Sequence, residues 1–129
     1  MVASREEELV EALDRLGRSM YERSAAFAEM FAEDAILIGS EAGEVARGRA
    51  AIRSLIAAFH ALPARYCWAW NTIDARVAGD IGWLFAEGDV VREEPDGTQK
   101  RRPYRLSAVL VRSGGQWIWL SFHGAEPAA

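Results

Sequence analysis

The spacing of apolar residues divides the chain into two textures. In residues 5–16, Leu9, Val10, Leu13 and Leu16 recur at helical intervals, with acids in the first turn and arginines later, an order that suits the helix dipole. Ser4 stands at the N-cap position, and Glu7 three residues on completes a capping box. Gly17 weakens or bends the pattern. Residues 19–31 place Met20, Phe27, Met30 and Phe31 among alanines, which predicts a second helix or a continuation of the first. Ala35-Ile36-Leu37-Ile38-Gly39 reads as a short buried strand and residues 41–48 as a loop with two glycines. Residues 49–62 form a third helical pattern, with Ile52, Leu55, Ile56 and Phe59 on one face and Pro63 ending it.

After Pro63 the period changes. Four β runs, residues 66–77, 81–92, 99–112 and 116–124, are separated by Ala78-Gly79-Asp80, Pro95-Asp96-Gly97 and Ser113-Gly114-Gly115. Each separator has the glycine-bearing chemistry and length of a hairpin turn. Helices followed by a strand meander predict an α+β fold rather than alternating α/β. The runs exceed the usual five or six residues or so, and long strands twist and coil. The prediction is therefore a strongly curved, mostly antiparallel sheet whose concave face is covered by three N-terminal helices.

Composition narrows the picture. The 129 residues suit one domain, spanning the whole chain, and a core that needs no staples. The net charge of −4 and the short basic run Lys100-Arg101-Arg102 give no nucleic-acid signature. Cys67 is the only cysteine, which excludes an intrachain disulfide and a cysteine-based zinc cluster. No secretory signal pattern opens the chain and no apolar run has the length of a membrane helix, so a soluble, cytoplasmic protein is expected. His60 and His123 are far apart and lack an acidic spacing motif, and no phosphate loop or dinucleotide fingerprint occurs. Neither a metal nor a cofactor is expected.

At this point the residues resemble a known family. Phe31-Ala32-Glu33-Asp34-Ala35 before the first strand and a loop ending in Gly48 before the third helix are similar to the SnoaL-like branch of the nuclear transport factor 2-like superfamily. So are Gly79-Asp80-Ile81-Gly82-Trp83 with Ala86-Glu87-Gly88, and Arg105-Leu106-Ser107 leading to Gly115-Gln116-Trp117 and Phe122-His123. The resemblance spans roughly residues 8–126. It implies a cystatin-like cone with an internal pocket and frequent dimerisation through the outer sheet face. The superfamily includes isomerases, cyclases, hydrolases, dehydratases and domains without catalysis, so function has to be argued from the site.

Alternation proposes that site. Strand side chains point to opposite faces in turn. Trp117, Trp119, Ser121 and His123 then share one face, as do Trp83, Phe85, Glu87 and Asp89, and Arg105, Ser107, Val109 and Val111. Tyr66, Trp68, Trp70 and Thr72 form a fourth set. Apolar walls with a few placed polar groups are what ligand pockets present, so this mixed set is expected on the cavity side. His123 and Glu87 are the candidate catalytic residues, each able to move a proton near neutral pH if suitably placed. Tyr21, Trp68, Trp83, Phe85, Arg105, Ser107, Trp119 and Ser121 are the candidate ligand contacts. Each has a plainer reading too: a structural histidine, a Glu87–Arg105 cross-strand pair, aromatic packing, or a dimer seam built of tryptophans.

Three functions compete: a small-molecule-binding homodimer with an apolar or aromatic ligand, an isomerase, cyclase or hydrolyase using acid–base catalysis, and a protein-interaction domain. The resemblance implies that isomerases of the family carry an acid at the end of the first strand region. This chain reads Ile36-Leu37-Ile38-Gly39-Ser40 there, with Glu41 and Glu44 in the following loop. Binding is therefore placed ahead of catalysis.

Overall fold

The computed structural model of the chain describes residues 3–128. Helix α1 (Arg5–Tyr21) runs unbroken through Gly17. The Ser4 hydroxyl accepts the Glu7 backbone N–H at 3.1 Å, so the N-cap is formed as the sequence suggests. Leu9, Ala12, Leu13, Leu16 and Met20 are buried along one stripe of the helix. Helix α2 (Ala26–Glu29) is a single turn, and strand β1 (Phe31–Ile38) starts directly after it. The helical reading of residues 19–31 therefore splits in two. Met30 and Phe31 fit either period, and pairing decides: the Met30 carbonyl accepts the Trp119 N–H at 2.9 Å, which draws the segment into the sheet. Strand β2 (Val45–Arg47) lies where a loop was expected, and is too short for alternation to show. Helix α3 (Arg49–His60) buries Ile52 and Ile56.

The remaining strands are long: β3 (Arg65–Ala78), β4 (Ile81–Glu93), β5 (Gln99–Ser113) and β6 (Gln116–Ala125). They form one six-stranded sheet in the order β2-β1-β6-β5-β4-β3. All neighbours are antiparallel except β1 and β6, which run parallel. The turns Gly79, Gly97 and Gly114-Gly115 all take positive φ, as hairpin geometry demands. This is the expected α+β architecture, with the helices packed on the inner face of a curved sheet. That face is lined by Leu84, Ala86, Tyr104, Leu106, Ala108 and Leu110, all buried.

Two bulges matter more than the rest of the topology. In β3 the register passes from Trp70 opposite Gly88 to Thr72 opposite Glu87, leaving Asn71 unmatched. In β6 it passes from Trp119 opposite Leu110 to Ser121 opposite Val109, leaving Leu120 unmatched. A bulge bends its strand and shifts the alternation by one residue. Tyr66, Trp68 and Trp70 therefore face inward, and Thr72 and Asp74 outward. Likewise Trp117 and Trp119 face inward together with Phe122 and Gly124, whereas Ser121 and His123 face outward.

Candidate functional site

A cavity of about 290 Å³ lies between the helices and the inner face of the sheet. Met20, Phe27, Leu55, Ile56 and Phe59 supply the helix side. Leu37, Tyr66, Trp68, Val90, Tyr104 and Phe122 supply the sheet side. The aromatic rings support one another. Trp68 lies 5.6 Å from Phe122 and 6.1 Å from Tyr104 between ring centroids, and Phe59 meets Tyr66 edge-on at 5.4 Å. Such interlocked rings hold a wall in place without hydrogen bonds.

The polar groups sort by depth. Tyr104 is buried, and its hydroxyl makes no hydrogen bond to the described residues. Burial, then the negative charges of Glu44 and Glu126, push this phenol well above its ordinary value of 10.0, so it stays protonated. The Trp68 indole N–H counters this slightly by its closeness to the phenol oxygen. It does not meet hydrogen-bond geometry, and among the described residues Trp68 Nε1 is buried without a partner. The two groups are neighbours and not a bonded pair. Gly124 makes the position possible, because a Cβ there would overlap the Tyr104 ring and hydroxyl.

Charges gather at the mouth. On one side the inner faces of β4 and β5 carry Arg92, Lys100 and Arg102, with Arg92 directly opposite Lys100. On the other side stand Ser40, Glu41 and Glu44 from the β1–β2 loop, with Glu126 from the C-terminal segment. Glu126 spans the two sides, hydrogen-bonding the Ser40 hydroxyl at 2.5 Å and lying 3.6 Å from Arg102. Glu44 accepts the Glu41 backbone N–H at 3.1 Å.

The residues expected at the site divide between two faces. Trp68 lines the cavity. Trp119 is 1 % exposed and packed between Phe31 and Phe122, so it is core and not pocket wall. The Tyr21 hydroxyl donates to Glu93 at 2.6 Å on the surface. Tyr66 and Trp68 of the mixed set line the cavity, but the sets containing Trp83 and Arg105, together with Ser121 and His123, lie on the outer face, which corrects that part of the expectation from alternation. Ile38, His123, Ser107, Phe85 and Asp74 are consecutive neighbours in one row across the outer face. Ile36, Ser121, Val109, Trp83 and Arg76 form the next row. Glu87 and Arg105 lie on the same outer face, joined at 3.0 Å. His123 and Glu87 thus stand away from the cavity, with the Glu87 carboxylate already engaged.

This outer face holds a second hollow of about 800 Å³, wider than the first but shallow and open to solvent. Its size reflects its openness, and the smaller cavity is the less open of the two. Alternation alone missed Tyr104, Phe59 and Leu55 as cavity residues. The signal was present for the helix residues, which share the apolar stripe of α3. Among the described residues no group of His, Cys, Asp and Glu could hold a metal ion, and no helix is long and apolar enough to cross a membrane.

Comparison with known proteins agrees with this fold. Residues 10–129 match the family model described as a SnoaL-like domain. Among curated proteins no sequence match is found. Solved structures resemble the chain over nearly its full length. One is a candidate dehydratase of the NTF2-like family from Streptomyces avermitilis, at 14% identity, covering 95% of this chain and 97% of that one, with a TM-score of 0.85. Another, from Catenulispora acidiphila, was solved in complex with S-DNPA; it is 18% identical, with 93% and 91% coverage and a TM-score of 0.81. A third is an NTF2-like protein with a cystatin-like fold from Novosphingobium aromaticivorans, at 24% identity, 93% and 80% coverage and a TM-score of 0.76. At these identities the likeness is one of fold.

Proposed function

We infer that this chain, which belongs to the SnoaL-like domain family, is a small-molecule-binding protein that holds an apolar or aromatic ligand in the inner cavity and works as a homodimer. The observation that carries this reading is an aromatic-walled cavity into which Tyr104 brings a hydroxyl that no described residue engages. An unengaged hydroxyl that lines a cavity is free to donate to an acceptor on a bound molecule. The cavity's volume is at the lower end of the range of roughly 300–1,000 Å³ typical of ligand sites. Its acids sit at the mouth, beside bases, and the candidate proton-moving pair His123 and Glu87 lies on the other face. This favours binding over acid–base catalysis.

The dimer reading rests on the outer face. Trp83 is 44% exposed, Phe85 40% and Val109 36%, an apolar strip that a single copy leaves in water. Asp74 and Arg76 border it on one side, and Glu87 and Arg105 follow along the same face. A two-fold axis would set these opposite charges against one another reciprocally. Here His123, Ser107, Ser121, Trp83 and Phe85 serve as seam residues. The lone, half-buried thiol of Cys67 fits a reducing compartment, and we place the protein in the cytoplasm.

The test uses 2-acetylnaphthalene, a neutral aromatic ketone, titrated against tryptophan fluorescence. Saturable quenching is expected, abolished by Leu55→Trp, which fills the cavity, and retained by Trp83→Glu. Light scattering on the same samples should show a dimer that Trp83→Glu converts to monomer. Undiminished binding by a folded Leu55→Trp variant would overturn the cavity assignment, and a monomeric wild type would overturn the dimer.

A further inference from the structure

The polar groups of the cavity are ordered along its axis, and that order describes a ligand. On the inner face of β5, Lys100 and Arg102 come first from the mouth, then Tyr104, then the buried Leu106. Arg92 stands beside Lys100 on β4. Of the three bases, Arg92 is engaged by Glu94 at 2.7 Å, and Arg102 faces Glu126 at 3.6 Å, beyond hydrogen-bonding distance. Lys100 makes no ion pair with the described residues. The outer end of the β4–β5 ribbon therefore presents unspent positive charge. Deeper in, Tyr104 offers a neutral donor, with Glu44 and Glu126 near enough to disfavour any second negative charge there.

We propose that the cavity selects an apolar aromatic molecule bearing an anionic group at its outer end and a neutral hydrogen-bond acceptor, such as a carbonyl, at its inner end. This rests on the reading of the cavity as a ligand site. The anion meets Lys100, with Arg92 and Arg102 behind it; the acceptor receives a hydrogen bond from the Tyr104 hydroxyl; the rings between lie against Trp68, Phe59 and Phe122. Glu41 and Glu44 stand across the mouth from the bases and would attract a cation instead, so the sign of the preferred ligand is the deciding measurement.

Four probes on one ring system make that measurement by fluorescence or calorimetric titration: 6-acetyl-2-naphthoate, its methyl ester, the analogue with an aminomethyl group in place of the carboxylate, and 2-naphthoate without the acetyl group. The acetyl acid is expected to bind about tenfold more tightly than its ester. That gap should shrink to under about threefold in Lys100→Gln or in about 0.5 M salt, and persist in the outer-face control Arg76→Gln. Tyr104→Phe should weaken the acetyl probes by about fivefold and leave 2-naphthoate unchanged. If the ester or the ammonium probe binds as tightly as the acid, the ligand polarity proposed here is overturned while the cavity reading stands. If no probe binds, or if Leu55→Trp binds them all equally well, the cavity reading falls and this proposal with it.

Discussion

Gly88→Ala tests the physical basis of the site more directly than any cavity substitution. Gly88 lies on the inner face of β4, between Trp70 of β3 and Tyr104 of β5. An added Cβ there would overlap the Ala69 carbonyl oxygen, and would fall 2.7 Å from the Trp70 Cα and 2.9 Å from the Ala69 carbonyl carbon. Carbon–oxygen contacts settle at about 3.3 Å or more, so β3 and β4 would have to part by over about 1 Å at this rung. All three atoms are backbone, and they lead into the bulge at Asn71, beyond which Thr72 and Asp74 turn outward. Overpacking of this kind costs about 1–3 kcal/mol, and each ladder hydrogen bond lost adds about 1 kcal/mol. The smaller entropy of an unfolded alanine returns somewhat under about 1 kcal/mol. The net loss is about 3 kcal/mol, or about 10 °C in midpoint for a chain of this size. Urea unfolding followed by tryptophan fluorescence, with thermal unfolding followed by circular dichroism, measures it. Gly17→Ala is the matched control. It lies inside α1 with nothing within 4 Å of the added carbon, and should stabilise by about 0.5–1 kcal/mol. A Gly88→Ala protein within about 1 kcal/mol of wild type would refute the claim that close backbone approach at this rung sets the bulge.

Three further outcomes are expected. Burial and the nearby Arg23 guanidinium lower the pKa of His60 below its ordinary 6.5, while the Met20 carbonyl partly offsets them. Between the folded and unfolded values the unfolded chain binds more protons, so this stability is present above about pH 6.5 and is lost as pH falls below it; His60→Gln should flatten the drop in thermal midpoint between about pH 7 and 5.5. Trp119→Ala, which empties the space between Phe31 and Phe122, should cost about 3–5 kcal/mol in urea unfolding, as expected of a core residue. Tyr21→Phe removes only an exposed hydrogen bond to Glu93, so the urea midpoint should stay unchanged within error and affinity for 2-acetylnaphthalene should change by less than about twofold.

How much of the molecule could be read from its residues depends on how far the causes reach along the chain. The Ser4 cap, the stripe of Leu9, Leu13 and Leu16, and the glycine turns at Gly79, Gly97 and Gly114 are set by neighbours a few positions apart, and all were legible. Strand β2 was not, because three residues carry too little pattern. The site was half legible. Trp68 precedes the bulge at Asn71 and keeps the expected face; Ser121 and His123 follow the bulge at Leu120 and part company with Trp119. Nothing local marks Leu120 as the unmatched residue: the mismatch arises where β6 pairs with both β1 and β5.

Short-range order alone determined that this chain is α+β, that its helices come first, and that long hairpin-linked strands follow. Tertiary structure alone decided which side of those strands is the inside. That choice belongs to pairings and helix contacts between residues tens of positions apart. One extra residue in a strand reverses every side chain beyond it without altering composition or local propensity. The cavity is built from that choice, with Tyr104, Trp68 and Phe122 brought to one wall by three different strands.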